Sequence, residues 1–292
     1  MSLPLPLGVT AVMLPELDID DQIALCTSVG VTHYCFRPRP IPQTQVGKAW
    51  GNWGNHKFDL TPERLLKEGK EFKKKFDDAG MTIFGCVPLG TVADRTDEEM
   101  KLNLEGAALV GAGRIRLQPE VYPKGPFDYQ AYLEKQIEGY ARAVAMAKPY
   151  GIKWVIETHC RGAATSPGLA LNLCKSFSPD EVGTILDIAN FNIEGFVQPN
   201  LAIAVLGDYI DHVHIGGGRT LDGEYDEFGF RKAGHRQTAI TDSDMHMPSW
   251  IAALHEAGRD VPLVIEDYTP EKTGTLRLTE TATALRRILE AE

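Results

Sequence analysis

Short apolar runs recur along this chain at intervals that fit one strand followed by one helix. They fall at GVTAVML (8–14), HYCFRP (33–38), MTIFGCVP (81–88), RIRLQP (114–119), WVIETH (154–159), VGTILDIAN (182–190), HVHI (212–215) and PLVIEDY (262–268). Most are rich in β-branched residues and several lack polar/apolar alternation, as parallel strands covered on both faces do. Between them lie amphipathic stretches. In residues 128–150, Leu133, Ile137, Tyr140, Val144 and Ala147 keep the i, i+4, i+7, i+11, i+14 stripe of a helix lying on the outside of a sheet or barrel. Thr61 before Pro62 reads as an N-cap with proline at N1, and Thr96 with Glu99 as a capping box. Gly30, Gly80, Gly113, Gly151 and Gly258 each stand between a helical segment and an apolar run, where a helix-closing glycine is expected.

Eight strands alternating with about eight helices over 292 residues predict a (β/α)8 TIM barrel. A doubly wound sheet fits less well. No linker, repeat or low-complexity segment divides the chain, so residues 1–292 are expected to form one domain. Two connections are too long for simple turns, 39–60 after the second strand and 216–243 after the seventh. Both follow the C-terminal ends of strands, the face at which TIM barrels build active sites. The first carries Trp50, Trp53 and His56 among glycines. It reads either as an aromatic lid over a small ligand, with Trp53 a substrate contact, or as a surface loop whose tryptophans pack back on the barrel.

Charge and composition narrow the partners. The chain has 30 Lys and Arg against 40 Asp and Glu, a formal charge of −10, which argues against nucleic acid as the partner because such affinity comes from neutralising phosphates. No apolar stretch approaches the length of a bilayer span, and the opening MSLPLPLGVT has no basic segment followed by an apolar one, so a cytoplasmic protein with no membrane partner is expected. Five widely spaced cysteines fit a reducing compartment.

The last four runs each deliver one ionisable residue to the same rim: Glu157, Asp187, His214 and Glu266. Any one of these alone is more often a paired strand end than a catalytic group. Together they differ, because three clustered carboxylates repel one another and lose solvation unless a cation joins them. Three carboxylates and one imidazole suit Mn²⁺, Mg²⁺, Co²⁺ or Zn²⁺.

The ordered set VIETH, LDIAN, HVHIGGGR and LVIED resembles the xylose-isomerase-like sugar isomerases and epimerases, a superfamily that also holds inosose dehydratases and apurinic endonucleases. The resemblance spans nearly the whole chain. It implies metal ligands at Glu157, Asp187, His214 and Glu266. It also implies a metal-dependent isomerase or epimerase acting on a small ketose, polyol or sugar derivative, with Glu157 and Glu266 as acid and base about a metal-bound enediolate. A lyase or dehydratase of the inosose or 3-keto-glycoside type is the alternative; an apurinic endonuclease is disfavoured by the acidic balance. Small-molecule substrates are implied, and a homo-oligomer is allowed. Ketose epimerases carry a substrate-holding arginine six residues after the ligand histidine, whereas here Arg219 stands five after His214, behind Gly216, Gly217 and Gly218, a permissive backbone for aiming it inward. Asn190 stands where many relatives have histidine, and Gly217 where many have an acid. His159, Asn190, Arg219 and Trp53 are the expected substrate contacts.

Overall fold

Each apolar run forms a strand where it is covered on both faces. The computed structural model describes residues 5–291; positions 1–4 and 292, and with them the first residues of the opening segment read for export, lie outside the described residues. The strands are β1 (Leu7–Thr10), β2 (His33–Phe36), β3 (Thr82–Cys86), β4 (Arg114–Arg116), β5 (Lys153–Glu157), β6 (Val182–Asp187), β7 (Ile210–Ile215), β8 (Gly217–Leu221), β9 (Gly234–Thr238) and β10 (Leu263–Ile265). Seven of them and β10 close a parallel barrel in the order β1-β2-β3-β4-β5-β6-β7-β10, so the eight runs become its eight staves. Outside lie α1 (Ile19–Ser28), α2 (Pro62–Asp78), α3 (Asp97–Val110), α4 (Tyr129–Ala147), α5 (Pro167–Cys174), α6 (Phe191–Glu194), α7 (Pro199–Leu206), α8 (Met247–Glu256) and α9 (Gly274–Ala291). The fold is a (β/α)8 TIM barrel.

Alternation sorts the strand residues. On β2, Tyr34 and Phe36 face outward onto Phe72 and Phe76 of α2, while Cys35 joins Phe84 and Val264 in a small apolar cluster inside the barrel. Two strands break the alternation. Tyr34 pairs with Ile83 but Cys35 with Gly85, so Phe84 is an extra residue on β3; Thr184 pairs with Ile210 but Ile185 with His212, so Asp211 is extra on β7. Such a bulge re-aims a side chain. Phe84 meets the His33 and His212 rings edge to face, and Asp211 meets Arg114 and Lys153, so both extra residues serve the interior.

The cap signals hold: Thr61 accepts from Arg64 N at 3.2 Å, and Thr96 and Glu99 make both bonds of a capping box. The helix over 128–150 is α4 plus a 3-10 turn at Lys148–Tyr150. Its stripe is rotated from the expected one, for the fully buried residues are Leu133, Gln136, Tyr140, Ala143 and Ala147, with Ile137 and Val144 only partly covered. Gln136 tolerates burial because its amide serves both the backbone N–H and the carboxylate of Glu120 at 2.9 Å. Gly111, not Gly113, closes α3, with φ +76°.

The larger departure is the connection 216–243, expected as a loop. It contains the antiparallel hairpin β8–β9, with Arg219 opposite Arg236. The glycines at its root are there for space and not for unusual dihedrals. None of the three has positive φ, and a Cβ at Gly217 would stand 2.4 Å from Thr238 O and one at Gly216 2.6 Å from Glu266 O. Among the described residues no helix is long and apolar enough to cross a membrane.

Candidate metal centre

Glu157 ends β5, Asp187 ends β6, His214 is the penultimate residue of β7 and Glu266 follows β10. All four are buried, and one ligand atom from each lies within 4.8 Å of the others. The imidazole is the hub. His214 Nδ1 is 3.2 Å from Glu157 Oε1, 3.3 Å from Glu266 Oε2 and 3.7 Å from Asp187 Oδ2. Its Nε2 is buried without a partner. A single imidazole nitrogen cannot satisfy three carboxylates with one proton, and this excess of acceptors about one point is what a dication resolves. The residues present fit a divalent ion.

The protonation pattern follows from that crowding. Burial opposes ionisation of Glu157, yet the Arg116 guanidinium and His214 hold it well below the ordinary carboxylate range. Glu266 is also lowered, His214 outweighing burial. Asp187 goes the other way: burial and the charges of Glu157 and Glu266 push it up to about 6 despite its contact with His214. His214 is held well above its usual value, because Glu266, Asp187 and Glu157 together overcome burial. A proton on the imidazole thus partly substitutes for a cation.

Arg116 and Gln118, absent from the sequence-based candidates, complete the centre. The Arg116 guanidinium donates to Glu157 Oε2, and Gln118 Nε2 donates to the same oxygen at 2.9 Å while its Oε1 accepts from Glu157 N at 3.1 Å. Their signal was present as period-two polarity in RIRLQP, where Arg114, Arg116 and Gln118 share one face of β4 and its extension.

Of the expected substrate contacts, Trp53 and His159 line a cavity of about 930 Å³ at the barrel mouth, together with Arg39, Arg116, Gln118 and Glu157. Trp53 is half-exposed and stands 5.6 Å from the Tyr268 ring, and His56 from the same loop is buried with Nε2 2.9 Å from Asn52 O. Asn190 touches the cluster through its backbone, its N–H donating to Asp187 Oδ1 at 3.0 Å. Arg219 is not brought to the cluster: it lies on β8, half-exposed, with Nη1 2.9 Å from Asp242 Oδ1. The hairpin, unread in the sequence, sets that direction.

A parallel eight-stranded barrel carrying a buried acid and imidazole cluster at the C-terminal ends of its strands defines a class. Within it, the chain belongs to the family of xylose isomerase-like TIM barrels, whose model matches residues 46–289. No curated protein matches it. Among solved structures, an IolI protein with a bound zinc atom superposes with a TM-score of 0.71 at 16% identity over 98% of this chain and 99% of that one. L-ribulose 3-epimerase gives 0.70 at 13% identity, over 98% and 95%. A xylose isomerase domain protein from Planctomyces limnophilus gives 0.68 at 18% identity, with both chains fully covered.

Proposed function

We propose that the protein is a divalent-metal-dependent isomerase or epimerase of a small ketose, polyol or related sugar derivative, with Glu157, Asp187, His214 and Glu266 as the metal ligands. One observation carries the reading: four buried ligand atoms from four consecutive barrel strands gathered within 4.8 Å. The zinc in the IolI structure and the activity named for L-ribulose 3-epimerase support it by analogy of fold.

A bound Mn²⁺, Mg²⁺, Co²⁺ or Zn²⁺ supplies Lewis-acid polarisation of a substrate carbonyl. The chain supplies the rest. Glu157 and Glu266 come from strands separated by β6 and β7, so they approach the centre from different sides. Arg116 and Gln118 fix the Glu157 carboxylate and keep it ionised, the state needed to take a proton from the carbon beside the carbonyl. Glu266, on the other side and also held ionised, draws a proton from water and delivers it to carbon, while the proton gathered by Glu157 passes to water, so that both carboxylates end as they began. Return to the opposite face of the same carbon gives the epimer; return to the neighbouring carbon gives the isomer. Trp53 and His159, from the cavity wall, shield the site from water and contact the sugar hydroxyls.

Elimination of a β-hydroxyl, the dehydratase outcome, is the second reading. Arg219, the residue nearest the position that holds substrate in ketose epimerases, is tied to Asp242 outside the cluster. Turnover in D2O separates the readings: ketoses and inososes are offered to chelated protein reloaded with Mn²⁺ or Co²⁺, and products are weighed by mass spectrometry. The isomerase reading expects conserved mass with solvent deuterium at carbon, the dehydratase loss of water. Full activity in both Glu157→Gln and Glu266→Gln removes the acid and base assignment.

A further inference from the structure

Beside the carboxylate cluster the mouth also collects guanidinium groups, and two of them, Arg37 and Arg39, form no ion pair. Alternation along residues 33–37 puts Arg37 on the inner face two positions above Cys35, and Arg39 follows at the edge of the cavity. Both are almost fully buried, at 3% and 4% exposure. Among the described residues neither forms an ion pair; their polar contacts are carbonyls, Arg37 Nη1 on Arg39 O at 3.5 Å and Arg39 Nη2 on Val87 O at 3.0 Å, and the Nε of each is buried and unpartnered. Burial lowers Arg37 to about 10 although Asp59 opposes it, and burial with the charges of Arg116 and Arg37 lowers Arg39 to about 9, so the fold bears a cost for keeping them charged. The cluster carboxylates do not discharge that cost. Arg116 and a divalent ion together balance all three of them; Asp59 lies within electrostatic reach of Arg37, which leaves Arg39 as the guanidinium with no acid of its own. Arg39 also lies 5.0 Å from the Trp53 ring, so the loop over residues 39–60 holds it against the cavity.

We propose that the substrate carries an anionic group, a carboxylate or a phosphate, that seats on Arg39 with Arg37 behind it, while the reacting carbons lie at the metal centre; this rests on the isomerase or epimerase reading above. A planar fork with spare N–H donors in a desolvated wall is suited to oxyanions and wasted on neutral hydroxyls.

The test is calorimetric titration of the full chain loaded with Mn²⁺, using D-fructose, D-fructose 6-phosphate and D-glucuronate in turn. One of the anions should bind at least tenfold more tightly than fructose, the phosphate and carboxylate arms identifying which group the site takes. Arg39→Met should abolish that preference, weakening the preferred anion at least tenfold more than it weakens fructose, and leave bound manganese, read by mass spectrometry, unchanged. It should also raise the melting temperature of the ligand-free chain, as removal of an unpaired buried charge does and loss of a structural contact does not. Arg39→Lys, which keeps the charge without the fork, should retain part of the preference. Equal binding of the three probes, or an undiminished preference in Arg39→Met, overturns the proposal. Loss of manganese from the unmutated chain would instead strike the metal centre and the function built on it.

Discussion

The barrel interior holds two ionic clusters, one near each end, and their stoichiometries differ. At the lower end a single carboxylate, Asp211, is met by Arg114 Nε at 2.8 Å, Lys153 Nζ at 3.0 Å and His212 Nδ1 at 2.8 Å. At the mouth three carboxylates share His214 and one guanidinium. The lower cluster is closed: acceptors are fewer than donors, and Asp211 is held below its ordinary range, with His212 and the two cations outweighing burial. The upper one is open, since its acids outnumber its donors and one of them, Asp187, is pushed up. Both are buried and both combine carboxylates with a histidine and an arginine, so residue type and burial alone do not tell a neutralised cluster from one with room for a cation. The balance of charge does.

The comparison can be broken most forcefully from above. Glu157→Gln should cut turnover by about 10²- to 10⁴-fold, the usual worth of a positioned proton-transfer group, and should also cost stability, because it leaves the buried Arg116 guanidinium without its nearest anion; steady-state kinetics beside a thermal melt reads both. From below, Asp211→Asn should cost stability and leave turnover of the folded protein unchanged. Leaving Arg114 and Lys153 without their anion should cost roughly 3 kcal/mol, less than a fully buried pair because both cations reach solvent, while metal content of the folded protein stays constant. Urea unfolding with metal analysis checks this, and an undestabilised Asp211→Asn would show that the lower cluster is not a foundation. A third measurement adds Mn²⁺ to the chelated chain: at about 100 times its dissociation constant, stability should rise by about 2.7 kcal/mol. Asp211→Asn should keep that increment, and Asp187→Asn should lose most of it.

The smallest effect is in pH. Asp187 of the chelated chain has its folded value raised to about 6, so the folded state binds a proton more readily than the unfolded one. Stability should therefore increase as pH falls from 7 through 6. Asp211 is lowered, so its contribution is present above the ordinary aspartate value and lost as pH falls below it. A plot of melting temperature against pH should pass through a mildly acidic maximum, and Asp187→Asn should flatten only its neutral side.

Much of this was legible in the chain because burial on both faces leaves a dense apolar signature. The four residues of the upper cluster stood out since each is an ionisable residue at or near the end of such a run. Arg116, Gln118, Arg37 and Arg39 did not, as they sit within or just past runs read for their apolar members, and inward-facing polar residues there look like interruptions until period two is imposed. The β8–β9 hairpin had no signature of this kind. Its strands, GRTL and GHRQT among them, are polar and largely exposed, and they are held by backbone pairing and the close approach of Gly216 and Gly217 rather than by a core. That hidden hairpin turned Arg219 away, so the residue that looked most like a substrate clamp was the one most dependent on an unseen element.

The extra residue on β7 reconciles an odd interval. Asp211 and His214 are three positions apart, and a regular pleat would send them to opposite sides of the wall. One inserted residue lets a single stave serve both ends of the barrel, with the parity of its upper half set independently of its lower half. A chain shortened there by one position would have to choose between its footing and its imidazole.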